Sequence, residues 1–565
     1  MSSDWPQDAV EWGELLPEDF GACLQYVQDT QPSAKGALLR SRFRYRKDEF
    51  LKYCWPERFS LPFNEMHRHL FEVGDIPPWD LRRKPDTLHA VAAPRGMGKS
   101  AVCSFGDLVH AIVYDLEAFI VLISSGRDLV WDLSADLLGQ FKPMEDGQTD
   151  DRRLSTLYGP FQTKGGKSAW SVSVKDRPPI AIATRSFGQD IRGIKHPSRG
   201  IRPTLIVLDD AEKKDRVRNP DQRTVWESTL TKDILKLSDR RRGSAFRFVG
   251  TILHTDSILS RRMRDPGWKA RKYAAILEWP SDAAKKLWEE CRQIWADLTR
   301  GDARRLDAVA YYEKHREKMD EGAVLLDPEG MPLFQLYELI WSQGYAAFLQ
   351  EMQNEPVDPS VQVFNPERFS YFTVEHDEKG AYLYVEGARP RIVRWESLTR
   401  KFTQWDPSEG SLGGDPAAIA TVARDAHGYK YVLNCWMALR PPSTQREALW
   451  SEAEAWGCAR ARIESNGFQD LAAEPFERER TSRREEGRFW RLDLEYKASH
   501  QNKEERIASS EPEITNGWLL FNRAISPQVF AQYSIWPSGD HDDGPDAIQG
   551  ASSQLGGAGD IGMTS

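Results

Sequence analysis

Cysteine is scarce in this chain, 6 of 565 residues at positions 23, 54, 103, 291, 435 and 458, each isolated and with no CxxC pair. That spacing argues against a zinc module and a disulfide framework, and a reducing compartment is expected. Long hydrophobic runs are missing too. No apolar stretch approaches the roughly 18 residues that span a bilayer, and the opening MSSDWPQDAV has neither the basic nor the apolar part of a secretory leader, so neither secretion nor membrane insertion is expected. Nor is there an excess of positive charge: 76 Lys and Arg stand against 85 Asp and Glu, a formal net charge of −9. This excludes a histone-like binder that coats DNA with its whole surface, and it leaves room for a locally basic channel on an acidic body. Internal repeats and low-complexity tracts are absent.

What is present is an ordinary globular composition, 40% hydrophobic and 28% charged, on a chain long enough for several cores. At roughly 100 to 200 residues per domain, two to four domains are expected. The 20 tryptophans lie in apolar contexts, so core packing is favoured over base stacking as their collective role. Residues 1–60 read as an N-terminal helical region with a basic run, Arg40-Ser41-Arg42-Phe43-Arg44-Tyr45-Arg46-Lys47. That run is either a solvated helix face or a contact for phosphates or a partner subunit. Over 61–280, short β-type runs (TLHAVAAP, FIVLISS, PIAIAT, TLIVLDD, FRFVGTIL, RKYAAILE) alternate with helical segments, which predicts an α/β domain with a mostly parallel sheet. Residues 281–360 read as a helical connector ending in FLQEMQNEPVDP. A second α/β pattern follows over 361–550, with KFTQWDP, a hairpin turning at Ala426-His427-Gly428, then ARARIESNG and GWLLF. The tail 551–565 is expected to fray.

The run Ala93-Pro94-Arg95-Gly96-Met97-Gly98-Lys99-Ser100 has phosphate-loop spacing and lies between a strand and a helix, the context such a loop requires. Gly96 and Gly98 let backbone N–H groups close around phosphates, Lys99 pairs with the β and γ oxygens, and Ser100 can ligate magnesium. Downstream, the apolar strand Leu205-Ile206-Val207-Leu208 ends in Asp209-Asp210. Asp209 fits the metal role and Asp210 that of the base activating water, with Glu212 as the fallback base; a simple strand-ending turn is the plain alternative. Arg95 and Arg192 are candidates to neutralise charge on the γ-phosphate, in cis or from a neighbouring subunit. Thr251, after Phe248-Val249-Gly250, is either a γ-phosphate sensor or a buried strand end.

Three further acids are spread along the second α/β region. Asp406 follows a short strand, Glu464 ends the strand ARARI, and Asp543 with Asp546 opens a helix. Strand, strand and helix start converge in a ribonuclease H sheet, and acids so clustered repel one another unless metal lies between them. Two magnesium or manganese ions held this way clamp the attacking and leaving oxygens of a phosphodiester. Singly, Asp406-Pro407 is a turn and Asp543 a helix cap. His541 and Asp415 are candidate metal neighbours.

Taken together, the phosphate loop, LIVLDD, the GT strand end and the ordered acids in WDPSEG, IESNG and HDDGPDA resemble the large terminase subunit of tailed bacteriophages over nearly the whole chain. The resemblance implies a P-loop ATPase domain of the additional-strand, RecA-like type, a helical connector and a ribonuclease H-like nuclease domain. It implies ATP with magnesium at the first site and two magnesium or manganese ions at the second. The implied partners are double-stranded DNA, the portal protein of the procapsid and a small terminase subunit, with a pentameric ring on the portal, in the host cytoplasm and without a membrane. By that likeness Arg95, Lys99 and Ser100 match the family's phosphate loop, Asp209 and Asp210 its metal-and-base strand, and Thr251 its coupling motif. Asp406, Glu464 and the Asp543/Asp546 pair match its nuclease motifs, and Arg192 resembles an arginine that some members extend across the ring. Asp210 departs from the Glu of many members, so Asp210 and Glu212 both stay open as the base. The rival reading is an ATP-dependent helicase-nuclease of repair or phage defence, which should carry a second RecA-like domain; none is evident after residue 280.

Overall fold

A computed structural model describes residues 17–30, 34–74, 86–142, 152–239, 243–356, 363–387, 390–410, 414–464, 469–488, 490–497 and 502–556. Part of IESNG, the first 16 residues and most of the tail lie outside these. The chain forms two compact units: Met1–Trp279 with Val324–Leu333 and Phe348–Val357, and Pro280–Ala323 with Phe334–Ala347 and Asp358–Ser565. The connector stretch is thus divided between the units, and its closing FLQEMQNEP belongs to the first. No described helix is long and apolar enough to cross a membrane, and none of the six cysteines forms a disulfide.

The first unit is built on strands β1 (Thr87–Ala92), β2 (Phe119–Ser124), β3 (Phe161–Gly166), β4 (Ala169–Val174), β5 (Ile180–Ser186), β6 (Leu205–Asp209), β7 (Ala245–Gly250) and β8 (Lys269–Lys272). They lie in the order β3-β4-β5-β2-β6-β7-β1-β8. From β5 to β8 the sheet is parallel, and β3 and β4 add an antiparallel hairpin at one edge. FIVLIS and LIVLD are buried along their whole length because helices cover both faces, as in parallel α/β sheets generally. β7 stands between the phosphate-loop strand β1 and the acid-bearing strand β6, which is the additional-strand arrangement. Ala92 pairs with Gly250 and Asp209 with Val249, so the loop, the acids and the GT end share one sheet edge. The hairpin β3–β4 was not legible in FQTKGGKSAWSVSV, although Trp170, Val172 and Val174 alternate into the core.

A small antiparallel pair, β9 (Ile276–Glu278) and β10 (Val324–Leu325), also belongs to the first unit. The second unit has nine strands: β11 (Tyr371–Asp377), β12 (Gly380–Val385), β13 (Arg391–Arg394), β14 (Leu398–Asp406), β15 (Ala417–Asp425), β16 (Lys430–Ala438), β17 (Arg460–Glu464), β18 (Asp493–Lys497) and β19 (Leu519–Asn522). Their order is β13-β12-β11-β19-β16-β15-β14-β17-β18. Within it, β16-β15-β14-β17-β18 is the ribonuclease H sheet: three antiparallel strands, then two added parallel to the first. Helices Lys285–Ala296 and Ala303–Met319 pack in this unit through aromatic contacts, with Trp288 stacked on Tyr337 at 3.6 Å and Trp295 beside Trp518 at 5.4 Å.

Two cations of the basic run, Arg42 and Lys47, are held internally and not on a solvated face, while Arg44, Tyr45 and Arg46 keep some exposure. Arg42 is fully buried in a two-pronged pair with Glu49, at 2.7 and 2.6 Å. Lys47 is buried on the Phe71 carbonyl and on Asp107, which Arg247 also engages. A helix start that needs its cations for buried pairs has few left for phosphates.

Candidate nucleotide and metal sites

The phosphate loop turns where only glycine is comfortable: Gly96 has φ +77° and Gly98 φ +75°. A Cβ on Gly98 would also come within 3.1 Å of His67 Nε2. His67 lies in the helix Glu65–Val73, whose start is closed by reciprocal bonds with Asn64. Since the Asn64 N–H donates to His67 Nδ1 at 3.3 Å, the ring proton lies on Nε2, which donates to the Met97 carbonyl at 2.8 Å. Burial holds the His67 pKa below its ordinary value, so the ring stays neutral in this brace. Ala93 and Pro94 lead the loop out of β1, and the Ala93 N–H bonds the Gly250 carbonyl at 2.9 Å.

Lys99 is buried and directs Nζ toward Thr251 Oγ1 and Asp210 Oδ2, both at 3.3 Å. Thr251 Oγ1 donates in turn to the Ala93 carbonyl at 3.2 Å, which ties the GT end to the loop. Ser100 Oγ donates to Asp209 Oδ1 at 3.0 Å. After Ser100 the chain makes a π-helical turn, Ala101–Gly106, that brings Ser104 Oγ to Asp209 Oδ2 at 2.7 Å. Burial pushes the Asp209 carboxyl up to about 6, with the Asp210 charge adding and the two serines and Lys99 opposing. Asp210, at φ +43°, is the acid that faces Lys99. Glu212 is differently engaged: its two oxygens accept the N–H groups of Ile258 and Leu259, at 2.8 and 3.0 Å, at the start of the helix Ile258–Met263. Its pKa is pushed up to about 7 by burial against those hydrogen bonds.

Arg95, Asp210, Glu212, Thr251 and Glu351 line a cleft of about 430 Å³ at this sheet edge. Arg95 Nη1 donates to Glu351 Oε2 at 3.0 Å and its backbone N–H to the Glu351 carbonyl at 2.9 Å. Arg192 does not line the cleft; it extends from an exposed loop onto Asp233 at 2.6 Å. His67, Ser104 and Glu351 carried no motif signal, because His67 and Glu351 reach the loop from distant segments and Ser104 reaches Asp209 only through the π-helical turn. The loop's open glycines, the buried ammonium of Lys99 and the paired Ser100–Asp209 fit a triphosphate with a hard cation.

In the second unit, Trp405 of β14 pairs with Ile463 of β17, so Asp406 and Glu464 end adjacent strands side by side. Asp543 and Asp546 occupy the first turn of the helix Asp543–Ser553, three residues apart on one face. The helix Lys503–Ala508 supplies two cations to these acids. Lys503 Nζ lies 2.7 Å from Asp542, 3.7 Å from Asp546, 3.9 Å from Asp543 and 4.0 Å from Asp406. Arg506 spans Glu464 and Asp546, at 3.1 and 3.0 Å. Burial pushes the Asp406 carboxyl up to about 8; Lys503 opposes this, and Asp546, Glu464 and Asp543 add to it. Asp546 is pushed up to about 6, again chiefly by burial, with Arg506 and Lys503 opposing.

Among the described residues no group of three or more His, Cys, Asp or Glu side chains is set to hold a metal ion in this arrangement, where Lys503 and Arg506 lie among the acids. The donors nonetheless fit hard divalent cations: all are carboxylates, and the buried Asp546 Oδ1 has no hydrogen-bond partner among the described residues. Both acids of the pair are buried, and Asp543 Oδ2 accepts from Gln532 Nε2 at 3.5 Å. His541 pairs with Asp415 at 2.9 Å, both exposed.

No family model matches the chain, and no curated protein does. Solved structures do. The large terminase from a thermophilic bacteriophage, in complex with ADP, aligns with 88% of this chain and 100% of its own, at 10% identity and TM-score 0.44. Viral large terminases are thus among the solved structures this chain resembles. The ATPase domain of the Thermus phage P74-26 large terminase covers 52% of this chain and 100% of its own, at 12% identity and TM-score 0.29. The zinc-bound large terminase nuclease from thermophilic phage G20c covers 34% of this chain and 99% of its own, at 16% identity and TM-score 0.23.

Proposed function

We propose that this chain is the motor and nuclease of a viral DNA-packaging machine, hydrolysing ATP to move double-stranded DNA into a procapsid and cutting concatemeric DNA at its second site. The observation that carries this reading is one chain holding both an additional-strand sheet with Lys99, Asp210 and Thr251 at one edge and a ribonuclease H sheet with Asp406, Glu464 and Asp546 at its strand and helix ends. The second sheet has the ribonuclease H strand order and not that of a second RecA-like domain, which favours this reading over a helicase-nuclease.

In this reading the backbone of residues 95–99 and Lys99 hold the β and γ phosphates, while Ser100 and Asp209 would hold magnesium, which supplies charge neutralisation there. Asp210 orients and deprotonates the attacking water, since Glu212 is committed to a helix start. Thr251 senses the γ-phosphate through its bond to Lys99. Arg95 neutralises developing charge, and Arg192, exposed on its loop, serves a neighbouring copy in a pentameric ring on the portal. Asp406, Glu464, Asp543 and Asp546 would hold two magnesium or manganese ions, which supply a clamp on the phosphodiester oxygens. The remaining partners are a small terminase subunit and the portal, met in the host cytoplasm. ATP turnover measured with empty procapsids and linear duplex DNA tests the whole reading: stimulation by both together is expected, and turnover indifferent to them contradicts it.

A further inference from the structure

The segment Phe348–Val357 belongs to the first unit, yet the chain on either side of it, Phe334–Ala347 and Asp358 onward, belongs to the second. Part of its attachment lies at the nucleotide cleft, through Glu351. Glu351 accepts from Arg95 through its side chain at 3.0 Å and through its carbonyl at 2.9 Å, and its other carboxylate oxygen lies 3.8 Å from Lys214 Nζ. Three residues on, Asn354 adopts φ +53° and accepts the Ile252 N–H at 2.8 Å, directly after Thr251. Its amide donates to the Tyr273 carbonyl at 2.9 Å. Gln353 braces the same stretch, bonding Ile276 N–H and carbonyl at 2.9 Å each.

We propose that Glu351 is a positioning residue for Arg95: its carboxylate and the phosphates of a bound nucleotide compete for one guanidinium, so that binding is felt by the segment 348–356. This rests on reading the cleft as an ATP site. The geometry sets the competition, because Glu351 lines the same cleft as Asp210 and Thr251 and is 17% exposed, while Arg95 is 71% exposed and free to swing. Glu351 engages Nη1 of Arg95 alone, so turning the guanidinium onto a phosphate draws that nitrogen away from the carboxylate, although the five-donor fork can contact more than one anion. Asn354 is fixed to the residue after the γ-phosphate sensor, so loosening the Glu351 side chain leaves the segment held by Asn354, by Gln353 on Ile276 and by its backbone bonds. The segment thereby reads the two ends of the triphosphate site and is continuous in chain with the second unit on both sides.

The test is ATP binding by the full chain, measured by calorimetry with magnesium for wild type, Glu351→Gln, Arg95→Ala and the double variant, with Lys99→Ala as the control. Glu351→Gln keeps size and backbone and should bind ATP about two- to fivefold tighter, the range of an exposed charge pair. Arg95→Ala should bind more weakly, and adding Glu351→Gln to it should change nothing further. Hydrogen exchange over 348–356 should rise when ATP is added to wild type and be already high in Glu351→Gln. Equal effects of Glu351→Gln with and without Arg95, or exchange in the segment unmoved by ATP in wild type, would overturn the proposal while Lys99-dependent binding left the ATP site standing. Failure of wild type to bind ATP at all would overturn both.

Discussion

At Lys99 a buried ammonium has Thr251 Oγ1 and the Asp210 carboxylate within 3.3 Å, so its removal takes away the charge that would meet transferred phosphate. Lys99→Ala is expected to lower ATP hydrolysis by about 100- to 1000-fold, the loss typical of one preorganised donor. Asp210→Asn should keep nucleotide binding and lose turnover by about 100-fold or more. Glu212→Gln should keep most turnover, because its oxygens serve the N–H groups of Ile258 and Leu259 and a Gln oxygen replaces one of them. Turnover lost in Glu212→Gln and kept in Asp210→Asn would reverse the assignment of the base. In the second unit Asp406 gives a pH signature. With its carboxyl pushed up to about 8, the native metal-free protein binds more protons than the unfolded chain between its ordinary range and that value. Stability therefore falls as pH rises through that window, by at most about 1.4 kcal/mol per pH unit from this group. The melting temperature of Asp406→Asn relative to wild type, in chelator, should rise from about pH 5 to about pH 8; a constant difference would show that Asp406 is not a half-buried, repelled acid.

Among elements, the helix Lys503–Ala508 had no chemical signal in KEERIA, because two cations on a short charged helix read as a solvated face. The fold turns it toward the ends of β14 and β17 and the helix Asp543–Ser553, where Lys503 and Arg506 balance the acids. Removing a partly buried cation from such a cluster costs on the order of 3 kcal/mol, because the carboxylates it faced remain. Arg506→Met should accordingly lower the melting temperature in chelator and gain more from added manganese than wild type does. A manganese shift equal to that of wild type would mean that Arg506 and metal do not meet the same acids. The acids themselves were legible because strand tips and a helix start carry them in a fixed order. β11, β12 and β13 were not, since their mixed polar residues give no clean alternation, and Tyr384 and Ile392 remain exposed on them. The connector was legible as helix, but the attachment of its FLQEMQNEP end to the phosphate loop depends on long-range bonds such as Arg95 to Glu351, which no local pattern encodes.

For the whole molecule, the phosphate loop and the LIVLDD strand were readable because local sequence alone fixes a glycine turn and a buried parallel strand. A solvated face fails at Arg42 and Lys47 of the basic run because a charge's partner is set by tertiary structure, here Glu49 and Asp107. With a net charge of −9, duplex DNA binding must rely on local Lys and Arg, and its affinity should fall steeply with salt. Neutralising Arg42 or Lys47 should cost folding stability rather than DNA affinity, which thermal unfolding and a filter-binding titration on the same variants will separate. The proposed function places two independent chemistries on this chain. ATP hydrolysis and manganese-dependent plasmid cleavage, assayed side by side in full-length wild type, Lys99→Ala and Asp406→Ala, test it most directly. The expected result is a crossed loss, Lys99→Ala cutting without hydrolysing and Asp406→Ala hydrolysing without cutting; ATP turnover in Lys99→Ala, or robust cutting by Asp406→Ala, would contradict it.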